Sequence, residues 1–573
     1  MGFVHRFRFV LFLILALTPV ILAACIGKSD EELTPSPYPV PSFSPSSTLT
    51  PLPDGATTGA RILARGFLRV GIRYDLEPFG YISEDGEVAG FGVDMGRELA
   101  RRWLGDPLAV QFRQVRTDTA VQHLQNGEVD IVITALIHTQ ERENGVDFSL
   151  PYFMDGHALL VRAADAPLIG DITGLQGRRV GVVIWENARE ALEVVLPFTV
   201  TFQTYDRFDA AVMALKQGDV DAVAELRSRL CWGRRLFPES LIIGQYTSAP
   251  VAFAFPENDP FFADLVNLTF QELVADGTYA TLYTRWFSPD FPLPVERWEG
   301  TELPSLADTP VVTNVPDTIS AIKARGKLIV AMPADRSPFA YLDTSGTPAG
   351  YEVNLVQRMA GRWLGDSMAV EFITTTLENG REMVRTGQAD MLIGGLHHTR
   401  AAELEIDFSL TTYWAGDSIM AWAGTPITTL QSLEGQPVAV VESSLGAVQQ
   451  TAREMNVQLT IIPQLSVSSA LALLEGGYAI AVIGDRSDLL GPAYATPGIG
   501  VFPWHLNYRP LALGLPPGDS AFRDLVNLTL LAMKVSGELD GLYYTWFDDP
   551  PPALESWPGS PARPLRLMDT AGQ

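Results

Sequence analysis

The sequence predicts an α/β protein made of two tandem copies of one domain, each copy split into two α/β lobes joined by a pair of crossing strands. The first observation behind this is a long internal repeat. GFGVDMGRELARRWLGD, starting at Gly90, returns as GYEVNLVQRMAGRWLGD at Gly350, and Trp103 and Trp363, Asp130 and Asp390, Thr139 and Thr399, Asp147 and Asp407 each stand 260 positions apart. The same offset separates the DLVNLT segments at Asp264 and Asp524 and the WF pairs at Trp286 and Trp546. Solenoid units repeat every ~20–50 residues, so a period this long marks a duplicated domain, and each copy should own a core. The second observation is that short β-rich runs alternate with helical patterns, which indicates mostly parallel sheets. The third is a pair of extended apolar runs in each copy, set between two such α/β blocks.

The first copy opens with FLRVGIRYDLEPFGYI, Phe67 to Ile82, a β-rich run that turns at Glu84-Asp85-Gly86. After Asp94 a helix sets Met95, Leu99 and Trp103 in one apolar stripe and stops at Gly105; its twin uses Leu355, Met359 and Trp363 and stops at Gly365. Val129 to Ile133 is almost continuously apolar and reads as a strand covered on both faces. A second block begins at Gly177, with RRVGVVIW, VTFQTY and VDAVAEL as strands and NAREALEVV and FDAAVMALKQG as helices; its counterpart begins at Gly435. HALLVRA, His157 to Ala163, leads out to this block and APVAFAFP, Ala249 to Pro256, leads back, matched by SIMAWAG and PLALGLP in the second copy. These runs are expected to be the crossing strands. Two lobes so joined make a hinge with a cleft.

Composition bounds the partners. The chain has 573 residues, 47% of them hydrophobic, enough for two domains of somewhat more than usual size. Its 41 Lys and Arg against 67 Asp and Glu leave a net charge of −26, which excludes nucleic acid because phosphates demand a basic footprint. The acidity serves solubility or attracts cationic ligands.

At the N-terminus His5, Arg6 and Arg8 precede the apolar run FVLFLILALTPVILAA, which stops at Cys25. This is the pattern of a secretory leader; the other reading is an uncleaved membrane anchor. The segment from Leu33 to Asp54 is rich in Pro and Ser and reads as an extended tether. The resulting division is a leader over 1–24, a tether over 25–57, a first domain over 58–300, a linker over 301–315, a second domain over 316–550 and a tail over 551–573. The other cysteine, Cys231, lies beside Trp232 and reads as a buried apolar residue. No cofactor or metal is expected: the adjacent His397 and His398 point apart, and no Cys/His cluster, P-loop or GxSxG elbow occurs. Arg101-Arg102 and Arg234-Arg235 read as solvated faces, and Phe79 and Phe339 as core.

LRVGIRYDLEPF, GFGVDMGRELA, GEVDIVITALIHTQERENGVDFSLPYF, LQGRRVGVV, ALKQGDVDAV and ADGTYATLYTRWF together resemble the bacterial extracellular solute-binding proteins of family 3, over nearly all of Gly66 to Phe287 and more loosely over Gly326 to Phe547. The resemblance implies type II periplasmic-binding-protein-like domains that close around a small polar, amino-acid-like solute and deliver it to the permease of an ABC transporter. Leu22-Ala23-Ala24-Cys25 resembles a lipobox, which implies a lipid on Cys25 and attachment to the outer face of the cell membrane. Two other readings stand beside this: a sensory or scaffold lipoprotein on the same fold, and a dehydratase-like enzyme.

The resemblance also assigns pocket residues. Arg142 takes the place of the arginine that grips a solute carboxylate, and Ala402 stands there in the second copy. Physically, Thr139 reads as a helix N-cap, so Arg142 would lie in a first turn against the helix dipole, a conflict an anion would relieve. The acid that accepts a solute ammonium is Asp485 in the second copy and Leu226 in the first, with Glu225 one residue earlier and so expected on the other strand face. Ser443 and Ser444 fit an anion site at a helix start, where the first copy has Trp185 and Glu186. Near the opening strand, Arg73 and Arg336 depart from the family pattern. These losses assign an anionic or aromatic-stacking solute to the first copy, held by Arg142 and Trp185, and a solute with a free amine to the second, held by Asp485.

Overall fold

The computed structural model describes residues 56–184, 186–287, 296–306, 316–427, 429–503, 505–547, 551, 557–559 and 565–567. The expected leader, Cys25 and Trp185 lie outside these residues. Among the described residues no helix is long and apolar enough to cross a membrane.

Both repeats have two lobes, each built on a five-strand path. In the first repeat, one sheet runs Val110–Gln114, Leu68–Ile72, Ile131–Val132, Ala249–Phe255, Asp147–Asp155, and the other Thr201–Tyr205, Arg179–Val183, Ala222–Leu226, His157–Arg162, Ser240–Ile243. In each sheet the first three strands are parallel, and the fourth pairs antiparallel with both of its neighbours. The second repeat copies the order, with Leu328–Met332 and Met391–His397 central in one sheet and Pro437–Val441 and Ala481–Asp485 in the other. Central strands such as Ala222–Leu226 are buried at every position, because helices cover both faces of a parallel sheet.

The helix expected after Asp94 begins earlier, spanning Phe91–Leu104, and ends at Gly105 with φ 77°, whose N–H bonds Arg101 O. Asp94 is therefore a buried first-turn residue, where it accepts from Arg285 Nη1 and Trp286 Nε1, each at 2.9 Å. Met95 and Leu99 enter the core, and the twin indoles tie this helix to the long penultimate helix of each repeat: Trp103 Nε1 donates to Thr269 Oγ1 at 2.8 Å and Trp363 Nε1 to Thr529 Oγ1 at 2.9 Å. Phe79 and Phe339 are fully buried. Cys231 is half-buried against the first lobe's core rather than enclosed in it.

The lobes cross at points displaced from those the sequence suggests. HALLVRA and APVAFAFP are each paired along one lobe's sheet, so the chain passes between lobes at Gly156 and near Thr247. The two passes touch: a Cβ on Gly156 would stand 2.1 Å from Thr247 O, and one on Gly416 would stand 2.2 Å from Asn507 O.

The repeats also interlock. Trp298, beyond the last helix of the first repeat, stacks at 3.9 Å on His398 of the second, whose other face lies 4.3 Å from Phe408. Trp557, beyond the last helix of the second repeat, stacks at 3.9 Å on His138 of the first, whose other face lies 4.3 Å from Phe148. Each repeat thus sends its C-terminal strap onto the other. Glu299 in the first strap continues to Arg509 at 2.5 Å, the first residue of the second repeat's return strand. Thr411 Oγ1 donates to Glu296 Oε2 at 2.9 Å.

Candidate functional site

In the first repeat the residues lining the cleft meet in one charged network. Arg73 follows strand Leu68–Ile72 and is 5% exposed. Its Nε and Nη2 bind the two oxygens of Asp75 at 2.9 and 3.0 Å, and its Nη1 reaches Thr117 Oγ1 at 2.9 Å. The same Nη1 crosses the cleft to Glu186 Oε1 at 2.5 Å. From the second lobe Arg229 adds a 3.0 Å bond to Glu186, a 3.5 Å contact to Glu225 and a 3.5 Å contact to Asp75 O, and lies over the Phe208 ring. Burial disfavours the charge on Arg73, but the Asp75 hydrogen bonds and the Glu186 carboxylate outweigh it and hold its pKa above the ordinary value. Burial, reinforced by Glu186 and only partly offset by Arg229, pushes Glu225 up to about 7. Glu225 therefore belongs to the cleft network, contrary to the strand-face expectation: it sits next to the end of its strand, and Arg229 one helical turn later reaches back to it.

Arg142 lies in a 3-10 turn, Arg142–Asn144, not an α-helix, so the dipole conflict is that of one short turn. Thr139 is not the expected N-cap, a place Glu141 takes, although its Oγ1 accepts the Arg142 N–H at 3.4 Å. Among the described residues the guanidinium is held only by Ile137 O, at 2.6 Å from Nη1, and no carboxylate is within ion-pairing distance. Burial lowers it to about 10, with Glu186 and then Glu141 opposing the shift. Among the described residues it is a cleft cation without a paired acid.

The second repeat is arranged differently. Arg336 crosses its cleft to Asp488 Oδ1 at 2.6 Å and donates to Gly394 O at 3.3 Å. Asp485 aligns with Leu226 by ladder register, opposite Asp417 where Leu226 is opposite His157. Its oxygens are already engaged: Oδ1 accepts from Ser487 N and Oγ at 2.9 and 2.5 Å, and Oδ2 from Arg509 Nη1 at 2.9 Å, with His397 Nε2 at 3.8 Å. Burial would raise its pKa, but His397, Ser487 and Arg509 bring it below the usual range. Ser443 and Ser444 sit in the first turn of Glu442–Glu454, Ser443 exposed and Ser444 fully buried with an unpartnered Oγ. Ala402 is packed in the core, and the neighbouring cations face the other repeat, His398 under Trp298 and Arg400 toward Glu272. Beneath Arg336 the chain supplies its own carboxylate: buried Glu352 accepts from Gly394 N at 2.6 Å and Gly395 N at 2.9 Å. Its place is taken by Gly92 in the first repeat.

The structure thus joins Arg73 and Glu225 through Glu186 and Arg229, sets Arg142 near Glu186, and leaves Arg336, Asp485 and the serines as separate features. Sequence reasoning missed Asp75, Thr117 and Arg229 in the first cleft and Asp488 and Arg509 in the second. Arg229 had a signal, since an acid and an arginine four residues apart at a strand-to-helix turn share one face.

Comparison with known proteins agrees with this architecture. Residues 68–289 and again 328–549 match the bacterial extracellular solute-binding proteins, family 3. The chain is similar to the glutamine-binding protein of Geobacillus stearothermophilus, 35% identical over 31% of this chain and 68% of that one. It is also similar to the L-cystine-binding protein TcyJ of Escherichia coli (strain K12), 27% identical over 40% of this chain and 86% of that one. Among solved structures, the ancestral amino acid-binding protein AncCDT-1, a precursor of cyclohexadienyl dehydratase, is 30% identical over 40% of this chain and 100% of that one, with a TM-score of 0.38. With more than half of its length matched in two successive blocks, the chain belongs to the bacterial extracellular solute-binding proteins of family 3 and carries that domain twice.

Proposed function

We propose that this protein is a lipoprotein, anchored through Cys25 to the extracytoplasmic face of the cell membrane, that captures a small polar, amino-acid-like solute for an ABC transporter and uses the first repeat's cleft to do so. The observation that carries the reading is Arg142, a half-buried cleft guanidinium with no carboxylate partner among the described residues, set near Glu186, which in turn neighbours Glu225. A solute carboxylate fits the free fork of Arg142. A solute ammonium fits the two acids, and it would draw Glu225 toward its ionised form. The glutamine- and cystine-binding relatives support an amino-acid-like solute. Binding, closure and docking on the permease are the whole of the action, and no bond is made or broken. The second repeat, whose Asp485 is held by Arg509 and whose Ala402 is core, has the lesser part in capture. The test is a thermal-shift screen of the full chain against amino acids, polyamines and organic acids. A true ligand at a hundredfold excess over its dissociation constant stabilises by about 2.7 kcal/mol, and a screen with no amino-acid response overturns the reading.

A further inference from the structure

Where the repeats meet, three carboxylates converge from both of them. Glu143 and Asp147 of the first repeat and Asp524 of the second are 4%, 2% and 8% exposed, and one oxygen of each lies within 4.8 Å of the others. The related acids Asp264, Glu403 and Asp407 lie close by, so six carboxylates gather there. The cations described around them are few. Arg523 reaches Asp147 Oδ1 at 2.6 Å and Asp407 Oδ2 at 3.2 Å, and stands where the first repeat has Ala263. His138 meets Glu143, and His398 meets Glu403 at 2.7 Å. Asp524 has no cation to itself: its Oδ1 is buried without a hydrogen-bond partner, and its side chain meets Glu143 within the converging trio. Buried carboxylates without a counter-charge either take up a proton or bind a cation, and Arg523 alone does not match this cluster.

We propose that Glu143, Asp147 and Asp524 form a calcium site that fastens the two repeats to each other. Hard oxygen ligands suit calcium or magnesium rather than softer metals. Calcium takes several oxygens in a flexible geometry and accepts protein carboxylates as its cage, whereas magnesium demands near-ideal octahedral geometry and keeps several waters, which a buried trio beside Arg523 accommodates poorly. Ser520 Oγ, 2.9 Å from Asp147 Oδ2, holds that ligand in place as His138 holds Glu143.

The test is calorimetric titration of the chelator-treated full chain with calcium alone and with magnesium alone at neutral pH, together with melting in each state. One calcium per chain is expected, with a dissociation constant on the order of 10⁻⁴ M as in extracellular modules, and a raised melting temperature. Asp524→Asn and, independently, Glu143→Gln should each weaken it at least about tenfold, while Asp343→Asn in an exposed loop leaves it unchanged. Absence of calcium binding at millimolar concentration overturns the proposal, as does unaltered binding in both cluster variants. So does a chain that ignores calcium but gains stability in Asp524→Asn, the outcome expected if a shared proton occupies the cluster. Tighter binding of magnesium than calcium overturns the choice of ion.

Discussion

Trp298→Ala should detach the first strap from the second repeat. The indole is 5% exposed, stacked at 3.9 Å and 28° on His398, with Nε1 bonded to Glu296 at 2.9 Å. Truncating a buried tryptophan to alanine costs about 3–5 kcal/mol through lost burial and the cavity left behind. The stack on His398 is one part of that, about 0.5–1.5 kcal/mol. A domain of this size melts roughly 2–4 °C lower per kcal/mol, so the transition of the second repeat should fall on the order of 10 °C. Calorimetric unfolding of the full chain reads this directly. A double-mutant cycle with His398→Ala isolates the stack, and Trp298→Phe should recover part of it. A loss below about 1 kcal/mol, or strict additivity with His398→Ala, would show that the strap rests on the second repeat without supporting it.

Gly156→Ala should distort the hinge, since the new Cβ would stand 2.1 Å from Thr247 O; a loss of at least about 2 kcal/mol in denaturant unfolding is expected, against under about 0.5 for Gly500→Ala, which has open space. Glu225, at about 7 when folded against 4.5 ordinarily, binds its proton more tightly in the fold. Its contribution is therefore fully present below pH 4.5 and is lost as pH rises through 7, by about 3 kcal/mol at most, and Glu225→Gln should flatten that part of a stability series between those values. An unchanged pH slope in Glu225→Gln would contradict its placement. Cys25→Ser should leave the protein unprocessed or free of the membrane fraction, and an acyl-labelled product from that variant would rule out the lipid anchor.

The fold was legible because the duplication writes each signal twice. The strands and helices of the second block fall where RRVGVVIW, NAREALEVV, VTFQTY, FDAAVMALKQG and VDAVAEL place them. The crossing points were misread because HALLVRA and APVAFAFP look the same whether they bridge lobes or pair within one, and only the contact at Gly156 tells them apart. The candidate site was half legible. Arg73, Arg142 and Glu225 could be named one by one, but the Arg73 to Glu186 bridge depends on how two lobes close, which no local pattern encodes. Asp485 was given a free amine because its partner Arg509 lies 24 residues on, beyond a helix and a strand. The interlocking straps and the acid cluster left no motif, since their parts come from both repeats.

The most direct measurement is calorimetric titration of the full chain with the best amino acid from the screen, repeated on Arg142→Ala and Asp485→Ala. A hydrogen bond to a charged group contributes about 1.5–3 kcal/mol, so Arg142→Ala should weaken binding roughly ten- to a hundredfold, with Asp485→Ala within about twofold of the parent. Binding unchanged in Arg142→Ala, or lost in Asp485→Ala instead, would contradict capture by the first repeat's cleft.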